Sequence, residues 1–167
     1  IEYADDNLKA DRELVLEAVK CDGLALAFVD ESFRADREVV LKAVKRDYSN
    51  EYYPNSSFLS MIAFDQLFDP NVNEPPCALQ FADDTLKADR EVVLEAVKNI
   101  GGGALFFAAN IFSADREIIL AAVKPKNCGF VLRMANDKLK ADRELVLEAV
   151  KDDVYPDALL YADDSLK

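Results

Sequence analysis

The side chains able to do chemistry in this sequence are carboxylates, guanidinium groups and a few thiols, because it contains no histidine. Ser-His-Asp and Cys-His relays and histidine metal ligation are therefore out of reach. Acids come as adjacent pairs at Asp5-Asp6, Asp83-Asp84 and Asp163-Asp164. A carboxylate pair can act as the acid and base of a hydrolase, or hold a cation. These pairs recur once per repeated block, which a single active site does not need, and they lack the D-x-D-x-D-G spacing of a calcium loop. Gly101-Gly102-Gly103 could cradle a phosphate, but no Gly-Lys-Ser/Thr accompanies it. It reads instead as a helix C-cap and a flexible link. Cys21, Cys77 and Cys128 form no C-x-x-C pair. They read as three small buried apolar residues in a reducing compartment. No catalytic, cofactor-binding or metal-ligating residue is expected, and the chain is expected not to be an enzyme.

The remaining candidate is a column of arginines: Arg12, Arg37, Arg90, Arg116 and Arg143. Each sits in a copy of one motif. The copies are Asp11–Lys20 (DRELVLEAVK), Asp36–Lys45 (DREVVLKAVK), Asp89–Lys98 (DREVVLEAVK), Asp115–Lys124 (DREIILAAVK) and Asp142–Lys151 (DRELVLEAVK). On a helical wheel the arginine falls between two apolar columns, so it should point toward a neighbouring unit. Acids of the preceding turn, such as Asp5, Asp83 and Asp137, are the expected partners. The structural reading is a ladder of half-buried ion pairs that keeps units in register. The functional reading is a row of guanidinium groups for a carboxylate-bearing peptide.

The motif copies start 25, 53, 26 and 27 residues apart. Self-similarity at such a period marks a repeat array. A second block precedes each copy, as in Ala25–Ala35 (ALAFVDESFRA) and Ala78–Ala88 (ALQFADDTLKA). The spacing predicts units at about 1–22, 23–47, 77–100, 101–125 and 126–152, with a partial unit at 153–167. The interval of 53 residues predicts a degenerate unit at 48–76. There Tyr48, Tyr52, Tyr53 and Phe58 cluster in a Pro- and Asn-containing stretch. Loop aromatics can anchor a partner, or they can plug the space of a lost helix. Both ends fall within a unit, and the chain is expected to be a segment of a longer one.

The Asp-Arg-Glu block has the marks of a helix start. Asp is a good N-cap, Glu lies near the positive end of the helix dipole and the closing Lys near the negative end. In the first copy Leu14, Val15, Leu16, Ala18 and Val19 cover an arc of roughly 200°, wider than a surface helix needs. Such a helix packs on two or more sides, as in the inner layer of a stacked array. The Ala18, Ala43, Ala96, Ala122 and Ala149 column lets a neighbour come close. The Leu16, Leu41, Leu94, Leu120 and Leu147 column reads as core. The preceding block has room for about two helical turns, and the acid pairs suit the turn after it. The predicted fold is all-α, a solenoid of helix–turn–helix repeats of about 25 residues.

Composition bounds what such an array can bind. The net charge of −12 would repel a polyanion, so nucleic acid and anionic membrane surfaces are disfavoured. No apolar run approaches the ~20 residues of a membrane-spanning helix, and no membrane insertion is expected. An intracellular, cytoplasmic placement is expected, with an organelle left open.

The signature Leu-Lys/Arg-Ala-Asp-Arg-Glu-Val-Val-Leu-x-Ala-Val-Lys, cleanest at Leu86–Lys98, resembles the tandem repeats known as domain of unknown function 4116. Ala78–Ala82 and Ala158–Ala162 match the element before it. The resemblance covers most of the chain apart from residues 48–76 and implies no reaction. By analogy with other helical arrays, the expected role is a scaffold for another protein. The alternatives are a structural subunit or spacer in a larger complex, or an accessory domain of an enzyme whose catalytic part lies elsewhere.

Overall fold

A computed structural model describes residues 5–46, 77–124, 130–151 and 157–166. The chain is all-α, with no strand among these residues. Five longer helices carry the repeated motif: α1 (Arg12–Cys21), α2 (Arg37–Val44), α3 (Arg90–Ile100), α4 (Arg116–Val123) and α5 (Arg143–Lys151). α1 to α4 each begin one residue after a capping aspartate. Asp11, Asp36, Asp89 and Asp115 accept hydrogen bonds from two backbone N–H groups of the first turn. Asp142 does the same for Leu145 at the head of α5. The helix start is thus written locally.

The block before each long helix is not the single helix that its length suggests. It is two pieces. The first piece is a 3-10 segment at Gly23–Phe28 and Ala78–Phe81 and a short α-helix at Val131–Met134. A one-turn helix follows, as at Asp6–Lys9, Glu31–Arg34, Asp84–Lys87 and Asp137–Lys140. The break between them is set by a second cap. Asp5, Asp30 and Asp83 accept from the N–H two residues on, and Asn136 accepts from Leu139. In the fourth unit Ala109 stands at this position with no side-chain cap, and Asn110–Ala114 winds as a 3-10 helix instead. The first acid of each pair is therefore a cap, and the second lies in the first helical turn.

Successive long helices pack side by side: α1 on α2, α2 on α3, α3 on α4 and α4 on α5. The 3-10 segments lie against the long helices before and after them, as Gly23–Phe28 does with α1 and α2. A backbone bond repeats along the second rank. The N–H at the short-helix cap donates to a carbonyl at the end of the previous short helix: Asp83 to Arg34 at 2.9 Å, Ala109 to Lys87 at 3.0 Å, Asn136 to Ser113 at 2.9 Å and Asp163 to Lys140 at 3.0 Å.

Two of these contacts join helices whose motifs start 53 residues apart. α2 touches α3 directly, and Asp83 bonds to Arg34 as consecutive units do elsewhere. The proposed degenerate unit at 48–76, with Tyr48, Tyr52, Tyr53 and Phe58, lies outside the described residues.

The core runs along the stack. Val39, Val40, Ala43 and Val44 of α2 and Val92, Val93, Ala96 and Val97 of α3 are wholly buried. The leucine column expected as core is not uniform. Leu94 is buried, Leu16, Leu41 and Leu120 are half-buried, and Leu147 is exposed. The alanine column is buried from Ala43 onward and half-buried at Ala18. Cys77 is buried and Cys21 exposed. Burial of all three cysteines was thus the wrong expectation for Cys21, and Cys128 lies outside the described residues. The triple glycine is a cap but not a loose link. Gly101 ends α3 at φ 75°, a region favouring glycine. Gly101 and Gly102 are buried in the 3-10 segment Gly101–Phe106. No helix among the described residues is long and apolar enough to cross a membrane.

Gly23 lies close to the backbone of the long helix α2 of its own unit, and beside Ala78 of the next. A Cβ there would lie 2.3 Å from the Ala43 carbonyl oxygen and 3.4 Å from the Ala78 Cβ. Gly23→Ala should therefore destabilise the fold by about 1–3 kcal/mol, read as a lower midpoint in chemical denaturation. An unchanged midpoint would show that the 3-10 segment shifts easily away from α2.

Candidate functional site

The arginine column sits where successive units meet. Arg37 Nε donates to Asp89 Oδ2 at 2.8 Å, and its Nη2 donates to Glu91 at 2.5 Å. Arg90 makes the same pair with Asp115 and Glu117, at 2.7 and 2.6 Å. Arg116 repeats it with Asp142 and Glu144, at 2.8 and 2.7 Å. At the first rung Arg12 uses Nη2 alone, 2.7 Å from Glu38 and 3.4 Å from Asp36. Arg143 has no acidic partner among the described residues.

Arg12, Arg37, Arg90 and Arg116 are thus each held by the aspartate and glutamate of the following unit's own motif. This corrects the expectation that acids of the preceding turn would serve. Asp83 is committed to Thr85 as a cap, Asp5 to Asn7, and Asp137 faces Lys140 at 3.9 Å. The missed signal was in the motif itself. An arginine flanked by a capping acid and a first-turn acid can clip onto an identical neighbour shifted by one unit.

One carboxylate serves two structures here. Asp89 Oδ1 accepts from the N–H groups of Glu91 and Val92 at 2.9 and 3.2 Å, while Oδ2 takes the short bond from Arg37 and Oδ1 a longer one at 3.4 Å. Asp115 is used in the same way, with Oδ1 capping Glu117 and Ile118, Oδ2 taking Arg90 Nε at 2.7 Å and Oδ1 also accepting Arg90 Nη2 at 3.2 Å. The aspartate side chains are 22–28 % exposed and the arginines 43–50 %. The guanidinium groups are about half exposed, and such pairs are individually weak. Two further cross-unit contacts close the other ends of the helices. Arg46 Nε donates to the Lys20 carbonyl at 2.8 Å, and Asn99 Nδ2 to the Val44 carbonyl at 2.9 Å.

The arginines hold Asp89, Asp115 and Asp142 below the usual carboxylate range. Glu38 falls to about 2, through Lys42 first and Arg12 second. Among the described residues no three Cys, Asp or Glu side chains gather as a metal site. A recess of about 160 Å³ lined by Leu105, Phe112, Ile119 and Met134, among others, is smaller than the ~300 Å³ at which ligand sites usually begin.

The chain matches the family model described as Domain of unknown function (DUF4116) over residues 1–26, 11–57, 72–113 and 115–167. These segments span most of it, and the chain belongs to this family of tandem repeats. No curated protein and no solved structure matches it.

Asp115→Ala removes a cap and a rung together, and the cap alone is worth about 1 kcal/mol. Arg90→Leu removes the rung and leaves the cap. Calorimetry should therefore show a larger fall in Tm for Asp115→Ala than for Arg90→Leu. The reverse order would mean that the guanidinium, not the cap, holds the interface.

The pH dependence has a definite sign. A carboxylate whose folded pKa is depressed contributes stability above its unfolded value of about 4, and that stability is lost as pH falls through the folded value. Tm should stay level from about pH 7 to 5 and drop below about pH 4. Arg90→Leu should shallow that acid limb, because Arg90 is the main cause of the Asp115 shift. An acid limb identical to wild type would remove the rung from the stability balance.

Proposed function

We propose that this chain is a non-enzymatic α-solenoid of units of about 25 residues that serves as a scaffold for protein–protein interaction. The observation that supports this most is repetition of one contact. The same arginine–acid rung and the same backbone link join consecutive units along the described stack. Stacking of that kind produces an extended surface with residues of one type in rows.

The outward row is acidic. Asp6, Asp84 and Asp137 project from the first turns of the short helices, almost fully exposed, each near a lysine three residues on. Together with the net charge of −12, this row favours a basic or neutral protein partner over a polyanion. The sparse cysteines, with no C-x-x-C pair, support an intracellular setting as part of the same reading.

The test is crosslinking mass spectrometry on the native protein in extract of its source cell, followed by reconstitution with the purified partner. Two lysine columns report two faces: Lys9, Lys87 and Lys140 on the short helices, and Lys20, Lys45 and Lys98 at the ends of the long ones. Crosslinks from one column to one protein are expected, with a defined complex on mixing. Asp84→Lys with Asp137→Lys should weaken that complex without lowering Tm. Crosslinks confined to the chain itself would favour a spacer.

A further inference from the structure

One unit in the row of short helices carries no charge there. The stretch reads DDNLK at residues 5–9, DDTLK at 83–87 and NDKLK at 136–140, but ANIFS at 109–113. Ala109 stands for the cap acid, Asn110 for the second acid, Ile111 for a polar residue and Ser113 for the lysine. This unit is internal, with a described unit on each side. Ala109 N–H donates to the Lys87 carbonyl, and Asn136 N–H to that of Ser113. Its openness therefore does not come from an end of the chain.

The departures meet at one place. Ala109, Asn110 and Ser113 line the recess of about 160 Å³ whose apolar walls are Leu105, Phe112, Ile119 and Met134. The aspartate and lysine of the other units would put two charges into that wall. Ile111, between the lining residues Asn110 and Phe112, is 66 % exposed, more than any other large apolar side chain among the described residues. An isoleucine so placed adds little burial to the stack, and the missing cap costs it about 1 kcal/mol. A cavity of about 150 Å³ with apolar walls takes a group the size of benzene, so this recess fits one bulky side chain.

The neighbouring units differ in charge. On one side Asp83 and Asp84 outnumber Lys87, and on the other Lys138 and Lys140 outnumber Asp137. Asp84 is almost fully exposed, and Lys138 is exposed. Packed helices lie about 10 Å apart, which an extended chain spans in about three residues.

We propose that the fourth unit is an anchor-residue site for an extended segment of a separate protein. A leucine, methionine or phenylalanine of that segment enters the recess beside Ile111. A basic residue about three positions to one side meets Asp84, and an acidic residue about as far to the other side meets Lys138. The proposal rests on the scaffold reading and deepens it, since it says where on the row a partner is held and by what chemistry.

The probe is a phage-displayed library of random linear peptides, selected on the 167-residue chain. Counter-selection uses a restored variant with Ala109→Asp, Asn110→Asp, Ile111→Thr and Ser113→Lys. Enriched peptides should share a bulky apolar residue with a basic and an acidic residue on opposite sides of it. By fluorescence anisotropy, Ile111→Asp should weaken their binding by about tenfold or more. Asp84→Lys with Lys138→Glu should favour the peptide with its two charges exchanged. The restored variant should melt at or above the wild-type Tm, so that its loss of binding is not a loss of fold. Selection without this consensus, or binding indifferent to Ile111, would overturn the site. A crosslinked partner that still binds the restored variant would overturn the site and leave the scaffold reading standing. In the chain alone, the thiol of Ile111→Cys should react with a water-soluble maleimide as fast as the exposed Cys21. Its protection, or self-association lost in the restored variant, would overturn the assigned occupant.

Discussion

Everything in this fold leans on a carboxylate with two oxygens used in two directions. One oxygen of Asp89 or Asp115 satisfies N–H groups that a helix start leaves bare. The other receives an arginine from the unit before. The place where a helix begins and the place where it touches its neighbour are thereby the same atom group. A unit that slipped along its neighbour would leave its arginine without the acid pair that its geometry fits. Helix initiation and stacking register are coupled without any buried charge.

That coupling is a matter of direction more than of strength. The guanidinium groups are about half exposed, and ion pairs so placed contribute little each. The stabilising mass lies in the valines, isoleucines and alanines of the long helices, which lose all contact with water from Val39 to Val97 and again at Ile118 and Ile119. Apolar burial is non-directional, and rows of near-identical apolar residues could slide past one another. The rung and the backbone link between short helices give that featureless interface a single register. The side chains of Arg46 and Asn99 add the complementary restraint at the C-terminal ends.

Local features of this architecture were legible in the sequence, and relational ones were not. The five helix starts follow from Asp-Arg-Glu because capping acts over two or three residues. The all-α class follows because no strand-length alternation competes with the repeated helical pattern. The arginines' partners lay one repeat away, and a wheel of one helix cannot state an offset between two. It also cannot say which of its apolar columns meets a neighbour. Hence Leu16 and Leu41 proved half-buried where the valines and alanines around them were sealed. The two-piece form of the preceding block was signalled by its acids. Read as turn residues, they were in fact caps, and a cap at Asp30 forces the chain to break at Val29, which is extended at φ −92° and ψ 163°. Ala109 shows the converse, since the α-helical turn is lost where the cap is lost.

The step from α2 to α3 shows what a register held by contacts allows. The connection from α1 to its following 3-10 segment is the single residue Asp22, and Gly101 follows α3 at once. Between α2 and Ala78 lies the whole stretch 45–77. Yet the rung from Arg37 to Asp89 and Glu91 matches the rung from Arg90 to Asp115 and Glu117 within about 0.1 Å in its short contacts. A repeat whose neighbours recognise each other by a capped aspartate therefore does not need its connections to be alike. Sequence can be added between units without changing how they stack.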